Sequence, residues 1–251
     1  MANANVLAPS KAVGRALLIS NDAATIGRIT ESMQLLAICA EVCTDIPTAI
    51  RLLNQRKFEA AVVDVQGDAT TILEKIRLSP ANRTVVIFAI INSDAEASEA
   101  LKGGASFVLQ RPFSKEAIEK VLRVSYGSIV RERRRYFRCT VQIPVLIQDA
   151  SKQEVSSTVV NISAGGFGIA ASAPPTVGVR VKARFTLPDH PTLFVVEATT
   201  CWCEEHYVGL QFVSISPQLE SELQEWLSRR LEESMPEEVV DRFRNAVNVQ
   251  P

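Results

Sequence analysis

No stretch of this 251-residue chain approaches the roughly 20 apolar residues that cross a bilayer. The longest apolar run, Val85–Ile91, is the size of a buried strand. Residues 1–13 have no basic segment leading into an apolar one, so they read as a short disordered tail rather than a secretion signal. The expected location is cytoplasmic. Histidine is scarce: only His190 and His206 occur, and neither stands in a frame with a Ser or Cys nucleophile, so the expected protein is not an enzyme. Cysteine is too sparse and scattered for a disulfide framework, at Cys39, Cys43, Cys139, Cys201 and Cys203. Cys201-Trp-Cys203-Glu-Glu-His206 mixes metal-capable residues but lacks a second ligand pair, and strict alternation puts its two thiols on one face of a strand. Gly165-Gly-Phe-Gly168 lacks the lysine and the strand-to-helix context of a phosphate-binding loop. Nor does either charge prevail: 27 Lys and Arg stand against 28 Asp and Glu, so bulk charge nominates no polyanionic partner.

What is present is a change of period. Between Arg15 and Tyr126, short apolar strand-like runs alternate with helical patterns. The strands are Arg15–Ser20, Ile38–Cys43, Ala60–Val65, Thr84–Ile91 and Ser106–Gln110. Five βα units in succession imply a parallel, doubly wound sheet with helices on both faces. Ser93 with Glu96 reads as a capping box, and Gly103-Gly104 as the stop of the helix between them. In such a sheet, chemistry belongs at the carboxyl ends of the strands, where Asn21, Asp22 and Asp64 fall.

These residues, together with Gly104-Ala-Ser-Phe-Val-Leu-Gln-Arg-Pro-Phe113, resemble a response-regulator receiver domain in order and approximate spacing over residues 14–130. The resemblance implies Asp64 as phosphoryl acceptor and Asp22 as a ligand of Mg²⁺. It also shows departures. Asn21 replaces one acidic metal ligand, Ala89 stands where the family has a hydroxyl, and Arg111 stands where it has a lysine. Val65-Gln-Gly-Asp68 is shorter than the usual loop and lacks its proline. Losing one carboxylate weakens a Mg²⁺ site, because that ion demands near-octahedral oxygen coordination. The plain alternative is that Asp22 caps the first helix and Asp64 is a strand-end residue. The expectation is a degenerate receiver used for docking or dimerisation, independent of phosphorylation.

From Ser128 the composition shifts. Arg131-Glu-Arg-Arg-Arg-Tyr-Phe-Arg138 reads either as the cationic end of the preceding helix, complementing its dipole, or as an arm for phosphates with Tyr136 or Phe137 stacking on bases. Strands then follow without helical interruption: Val141–Ile147, Ser156–Ile162, Gly166–Ala171, Val179–Leu187, Phe194–Cys203 and Tyr207–Phe212. Turns at Pro174–Gly178 and Leu187–Pro191 separate some of them. Short antiparallel strands in this number make a small β-barrel.

Arg134-x-x-x-Arg138 followed by Asn161-x-Ser163-x-x-Gly166 is similar to the signature of a PilZ domain, the cyclic di-GMP receptor module, and the likeness runs to about Leu231. Gly166-Phe-Gly-Ile-Ala170, the Leu187-Pro-Asp189 turn and Val208-Gly-Leu-Gln-Phe212 support it. The resemblance implies Arg134 and Arg138 as the core pair of ligand residues, with Asn161, Ser163 and Gly166 on the barrel. A basic residue just before the pair, here Arg133, is associated in that family with an intercalated ligand dimer, which leaves one or two bound ligands open. The chemistry is coherent from the residues up. A guanidinium can donate two parallel hydrogen bonds to guanine O6 and N7, or pair with phosphate, while the short oxygens of Asn and Ser accept from the base's N–H edge. An alternative frame, Arg131-x-x-x-Arg135, lies far from the first barrel strand.

After the barrel, Leu219, Leu223, Trp226, Leu227 and Leu231 form a helical stripe, and Ser234–Val240 opens a second helix with Val239, Val240, Phe243 and Val247. Such stripes pack on the parent domain or dock a partner. The expected organisation is therefore a tail over 1–13, a receiver-like domain over 14–130, an arginine-rich linker over 131–138, a barrel with its helix over 139–233, and an accessory helix over 234–251. The expected activity is cyclic di-GMP binding that changes interdomain or protein-partner contacts, with a homodimer as one outcome. Two rivals stay open. One is a phosphorylation-controlled response regulator with a PilZ effector. The other is a basic-arm nucleic-acid binder, disfavoured because it leaves the Asn161, Ser163 and Gly166 turn unexplained.

Overall fold

A computed structural model describes residues 12–64, 69–148, 153–172, 175–235 and 240. Most of the expected N-terminal tail, the loop after Asp64 and most of the accessory C-terminal helix lie outside the described residues. The chain divides into two units, one ending at Arg133 and taking in the residues from Glu232 on, the other Arg134–Leu231. Among the described residues no helix is long and apolar enough to cross a membrane.

The first unit runs β1 (Gly14–Ile19), α1 (Ala23–Leu35), β2 (Ile38–Cys43), α2 (Ile46–Gln55), β3 (Ala60–Asp64), α3 (Ala69–Leu78), β4 (Val86–Ile91), α4 (Asp94–Lys102), β5 (Phe107–Gln110) and α5 (Lys115–Tyr136). Its five strands are parallel in the order β2-β1-β3-β4-β5, the doubly wound arrangement whose switch point lies between β1 and β3. The two-residue period of the strands divides the core. Leu17, Ile19, Ala61, Val63, Ile87, Ala89 and Ile91 bury one face against Leu53, Ile72, Leu73 and Ile76 of the helices. Ala16, Leu18, Val62, Phe88 and Ile90 are equally buried and by alternation face the other side. On α1 and α5 the buried stripe is Ile29, Met33, Ile118, Leu122 and Ile129.

The local punctuation has physical causes. Ser93 accepts from Glu96 N at 3.3 Å, and the Glu96 carboxylate reaches back to Asn92 N at 2.7 Å. Arg77 braces the turn before β5: its guanidinium donates to the carbonyls of Gly104, Arg83 and Val85. The last helix differs from expectation. The segment expected as a linker over 131–138 is helical to Tyr136, and Arg138 already belongs to the next strand. No glycine or proline lies between Gly127 and Pro144 to stop the helix, and long-range pairs hold it. Glu132 is buried against Lys57 and accepts from Thr84 Oγ1 at 2.5 Å, and Arg133 faces the buried carboxylate of Glu59 at 3.6 Å.

The second unit is a closed six-stranded antiparallel barrel followed by a helix. Its elements are β6 (Arg138–Gln148), β7 (Glu154–Ser163), β8 (Gly166–Ala170), β9 (Arg180–Thr186), β10 (Leu193–Glu204), β11 (Tyr207–Ser214) and α6 (Pro217–Glu233). Around the barrel the order is β10-β11-β8-β7-β6-β9, with β9 pairing β10 to close it. Ile143, Val145, Ile147, Val159, Ile162, Phe185 and Phe194 fill the interior with alternate residues, and Leu223, Trp226 and Leu227 of α6 join that core. Trp226 donates its indole N–H to Pro188 O at 2.9 Å, and Arg230 lies over the indole while pairing with Asp189. The apolar stripe of α6 is thus spent on its own barrel.

Candidate ligand-binding sites

At the carboxyl end of the parallel sheet, the expected acidic site is occupied by an arginine. Asp64 ends β3 with a side chain only 3% exposed. Arg111 donates to it through both arms of the guanidinium, Nη1 to Oδ1 at 2.7 Å and Nη2 to Oδ2 at 2.8 Å. Ser20 adds a hydroxyl donor to Oδ2 at 2.7 Å. Arg111 Nη2 also donates to Thr25 Oγ1 at 3.0 Å and stands 3.7 Å from Asp22. Hydrogen bonding to Asp64 raises the guanidinium pKa above its ordinary value.

Asp22 is the N-cap of α1. Its Oδ1 accepts from Ala24 N at 3.2 Å, and its Oδ2 from Thr25 N at 3.2 Å and from the Thr25 hydroxyl. The Thr25 hydroxyl is the main influence lowering its pKa. Asn21 beside it is exposed.

The Mg²⁺ that the receiver resemblance implies needs several oxygens free to converge on one ion. Here Asp64 has both oxygens on a cation, Asp22 has both on the helix start, and the third carboxylate is missing. The residues present do not fit the ion. Among the described residues no group of three or more His, Cys, Asp or Glu could hold a metal.

The second site lies on the outside of the barrel. Arg138 opens β6 opposite Ser163 at the end of β7, and Ser163 Oγ donates to Gly166 O at 3.0 Å, which fixes the turn into β8. Gly166 is demanded by space: a Cβ there would lie 2.1 Å from Leu210 O on β11. Two register slips then re-aim side chains. β7 slips between Val159 and Asn161, and β10 slips between Thr200 and Trp202. Val159 pairs with buried Ile169, and Thr200 with buried Leu210, so uninterrupted alternation would send Asn161 and Trp202 inward. Each bulge turns its residue to the outer face instead.

The result is a row across four strands, Asn161–Gly168–Gly209–Trp202. The Asn161 amide lies on Gly168, where a Cβ would come 2.7 Å from Nδ2. The Trp202 indole lies on Gly209, where a Cβ would come 2.0 Å from Nε1. The two glycines are buried beneath these side chains, which lets the amide and the indole lie flat against the strands.

Arg135, Tyr136, Arg138, Asn161, Ser163 and Trp202 line the cleft of about 330 Å³ at this row, with Gly166 and Gln211 in the neighbouring row. Four of the expected ligand residues, Arg138, Asn161, Ser163 and Gly166, therefore come together. Arg133 and Arg134 do not line the cleft. Arg133 belongs to the first unit, where it faces Glu59, whose pKa burial pushes up. Arg134 is half-buried. Arg135, Trp202, Gly168 and Gly209 were not identified from sequence as ligand residues. The glycines' two-residue spacing from a neighbouring glycine or glutamine on the same strand face was the only available signal.

The PilZ domain family model matches residues 132–229. No curated protein matches the chain. Among solved structures, the Bacillus subtilis inhibitor of motility is 24% identical with a TM-score of 0.35, covering 39% of this chain and 51% of its own length. This chain thus spans about half of that protein. The PilZ domain of CeSA from a cellulose-synthesizing bacterium is 17% identical with a TM-score of 0.32, covering 37% of this chain and 96% of that one. The receiver domain of a sensor histidine kinase from Pseudomonas aeruginosa PAO1, solved with magnesium in its active-site cleft, is 18% identical with a TM-score of 0.41, covering 45% and 98%. The family match falls on the segment that ends α5 and folds as the closed barrel and its helix, so that, after a doubly wound parallel sheet, the chain carries a PilZ domain at residues 132–229.

Proposed function

We propose that the chain is a non-enzymatic signalling protein that binds cyclic di-GMP on the outer face of its barrel. The observation that carries this reading is the meeting of Arg138 with Asn161, Ser163 and Gly166 in one cleft. Arg138 is exposed and has no ion pair among the described residues, so its five donors are available to a phosphodiester or to guanine O6 and N7. Asn161 and Ser163 offer short oxygens to the base's N–H edge. Binding changes the contacts of the two units with each other or with a protein partner. Arg133 and Arg134 are recruited only if ligand draws the end of α5 toward the barrel.

The first unit acts without phosphorylation. A phosphoryl donor must reach an Asp64 oxygen, and both are held by Arg111 in a nearly closed pocket. This favours the unphosphorylated reading over a phosphorylation-controlled regulator. The test is calorimetric titration of the full chain with cyclic di-GMP, with GTP as control, beside Arg138→Ala. Losing one bidentate guanidinium contact of about 1–3 kcal/mol weakens binding roughly 5- to 150-fold. Undiminished binding by Arg138→Ala, or no saturable binding by the wild type, overturns the proposal.

A further inference from the structure

The outer face does not end at Trp202. Beyond the indole a second depression of about 420 Å³ opens, sharing Asn161, Gly168 and Trp202 with the first and adding Glu204, Glu205 and Tyr207. Tyr207 pairs with Glu204 and Trp202 with Gly209, two positions along the same strands, so Trp202, Glu204 and Tyr207 share one face of the hairpin end.

Two observations mark this patch as built for a flat, hydrogen-bonding ligand. Trp202 is 49% exposed and Tyr207 is 52% exposed. The indole spends one face on Gly209 and presents the rest to solvent, an arrangement that costs apolar exposure unless something stacks there. Glu204 and Glu205, which line the depression, also have no ion pair or hydrogen bond among the described residues, so their carboxylates are acceptors without a donor. An acceptor pair beside an aromatic shelf repels phosphate and the acceptor edge of adenine. It matches the adjacent N1–H and N2–H donors of guanine, which meet two carboxylate oxygens in parallel.

We propose that this second depression is a guanine subsite, with Trp202 and Tyr207 as stacking faces and Glu204 accepting from N1–H and N2–H, so that Glu204 selects guanine over adenine. The inference rests on the cyclic di-GMP reading and deepens it: one base lies by Arg138 and Asn161, the other past Trp202. Glu204 is assigned rather than Glu205 because it lies on the strand face with the aromatics, whereas Glu205 sits in the hairpin turn at φ 53°.

The experiment compares cyclic di-GMP with the mixed cyclic GMP–AMP, which carries a single guanine. Both are titrated calorimetrically into full-length wild type, Glu204→Gln, Glu205→Gln and Trp202→Phe. Tryptophan fluorescence gives a second signal, because Trp226, the other tryptophan, is buried in the barrel core.

The expected result is a wild-type preference for cyclic di-GMP of tenfold or more. In Glu204→Gln that preference shrinks to about threefold or less through weaker cyclic di-GMP binding, while Glu205→Gln keeps it. Ligand quenching disappears in Trp202→Phe. A preference unchanged in Glu204→Gln, or moved only in Glu205→Gln, overturns the subsite while leaving cyclic di-GMP binding itself standing. A wild type that binds neither dinucleotide overturns the functional reading and the subsite with it.

Discussion

Arg111→Met should loosen the first unit severely, and Asp64→Asn placed on top of it should restore most of the loss. In the wild type the Asp64 carboxylate, 3% exposed, is neutralised by two hydrogen bonds of 2.7 and 2.8 Å from one guanidinium. Among the described residues, removing Arg111 leaves that carboxylate with the Ser20 hydroxyl as its remaining side-chain donor and strips Thr25 Oγ1 of its donor. Breaking a buried pair from one side costs about 3–5 kcal/mol, because an uncompensated charge stays in a poorly solvated place. At about 1.4 kcal/mol per decade this is a hundredfold to a few thousandfold in the opening equilibrium.

Hydrogen exchange read by mass spectrometry on the full chain suits the question, since it resolves the amides of β1 and β3 from those of the barrel. The double variant removes both charges and should return exchange to within about tenfold of wild type. If β1 and β3 amides exchange equally in wild type and Arg111→Met, Arg111 is not what closes the site, and the case against phosphoryl transfer at Asp64 loses its physical basis.

Gly166→Ala places a methyl 2.1 Å from a backbone carbonyl of β11, so β8 must part from it. The barrel's melting, followed by Trp226 fluorescence, should fall by several degrees, and an unchanged melt refutes the close-packing argument. In Gly168→Ala the added methyl meets the end of the Asn161 side chain, which can rotate away. The melt should therefore hold while cyclic di-GMP affinity drops about tenfold, and the reverse pattern would show that Asn161 is not a ligand residue. Glu59 has a folded-state pKa raised chiefly by burial, so between its ordinary value of about 4.3 and that raised value the native state holds more protons than the unfolded one. Stability from this group is therefore present at acid pH and is lost as pH climbs through that window. Glu59→Gln should flatten the fall of β1 and β3 exchange free energy as pH climbs above the ordinary glutamate value, and an identical slope in both proteins rejects the assignment.

The alternation of periods made the parallel sheet legible, because strands buried on both faces read as unbroken runs such as Val86–Ile91. The antiparallel barrel was legible for the opposite reason, as the in-and-out burial along Leu193–Thr200 shows. Arg111 could be seen to replace a lysine, but not to lie across Asp64, Thr25 and Asp22, since that depends on three segments far apart in sequence meeting at one strand end. The helical course of residues 131–136 was hidden because its supports, Lys57, Glu59 and Thr84, are long-range. Asn161, Ser163 and Gly166 were found by their motif. Trp202 was missed because strand parity points it into the core, and only the slip at Cys201 turns it outward.

The arginines of this chain separate into those already satisfied and those still available. Arg77 is spent on three carbonyls, Arg111 on Asp64, Arg184 on Glu154 and Arg230 on Asp189, while Arg133 faces Glu59. A chain with a net charge of −1 has no general field to draw an anion, so attraction must come from cations that lack a local carboxylate. In the cleft these are Arg138, with no ion pair among the described residues, and Arg135, whose guanidinium rests over Tyr136 at 6.0 Å. The planar fork that makes Arg111 an effective plug for a carboxylate makes Arg138 an effective clamp for a phosphodiester or a guanine edge. What differs is the neighbour. Asp64 is within hydrogen-bonding reach of Arg111, whereas Arg138 stands opposite an uncharged serine. The same side chain therefore closes a site at one end of the chain and leaves one open at the other.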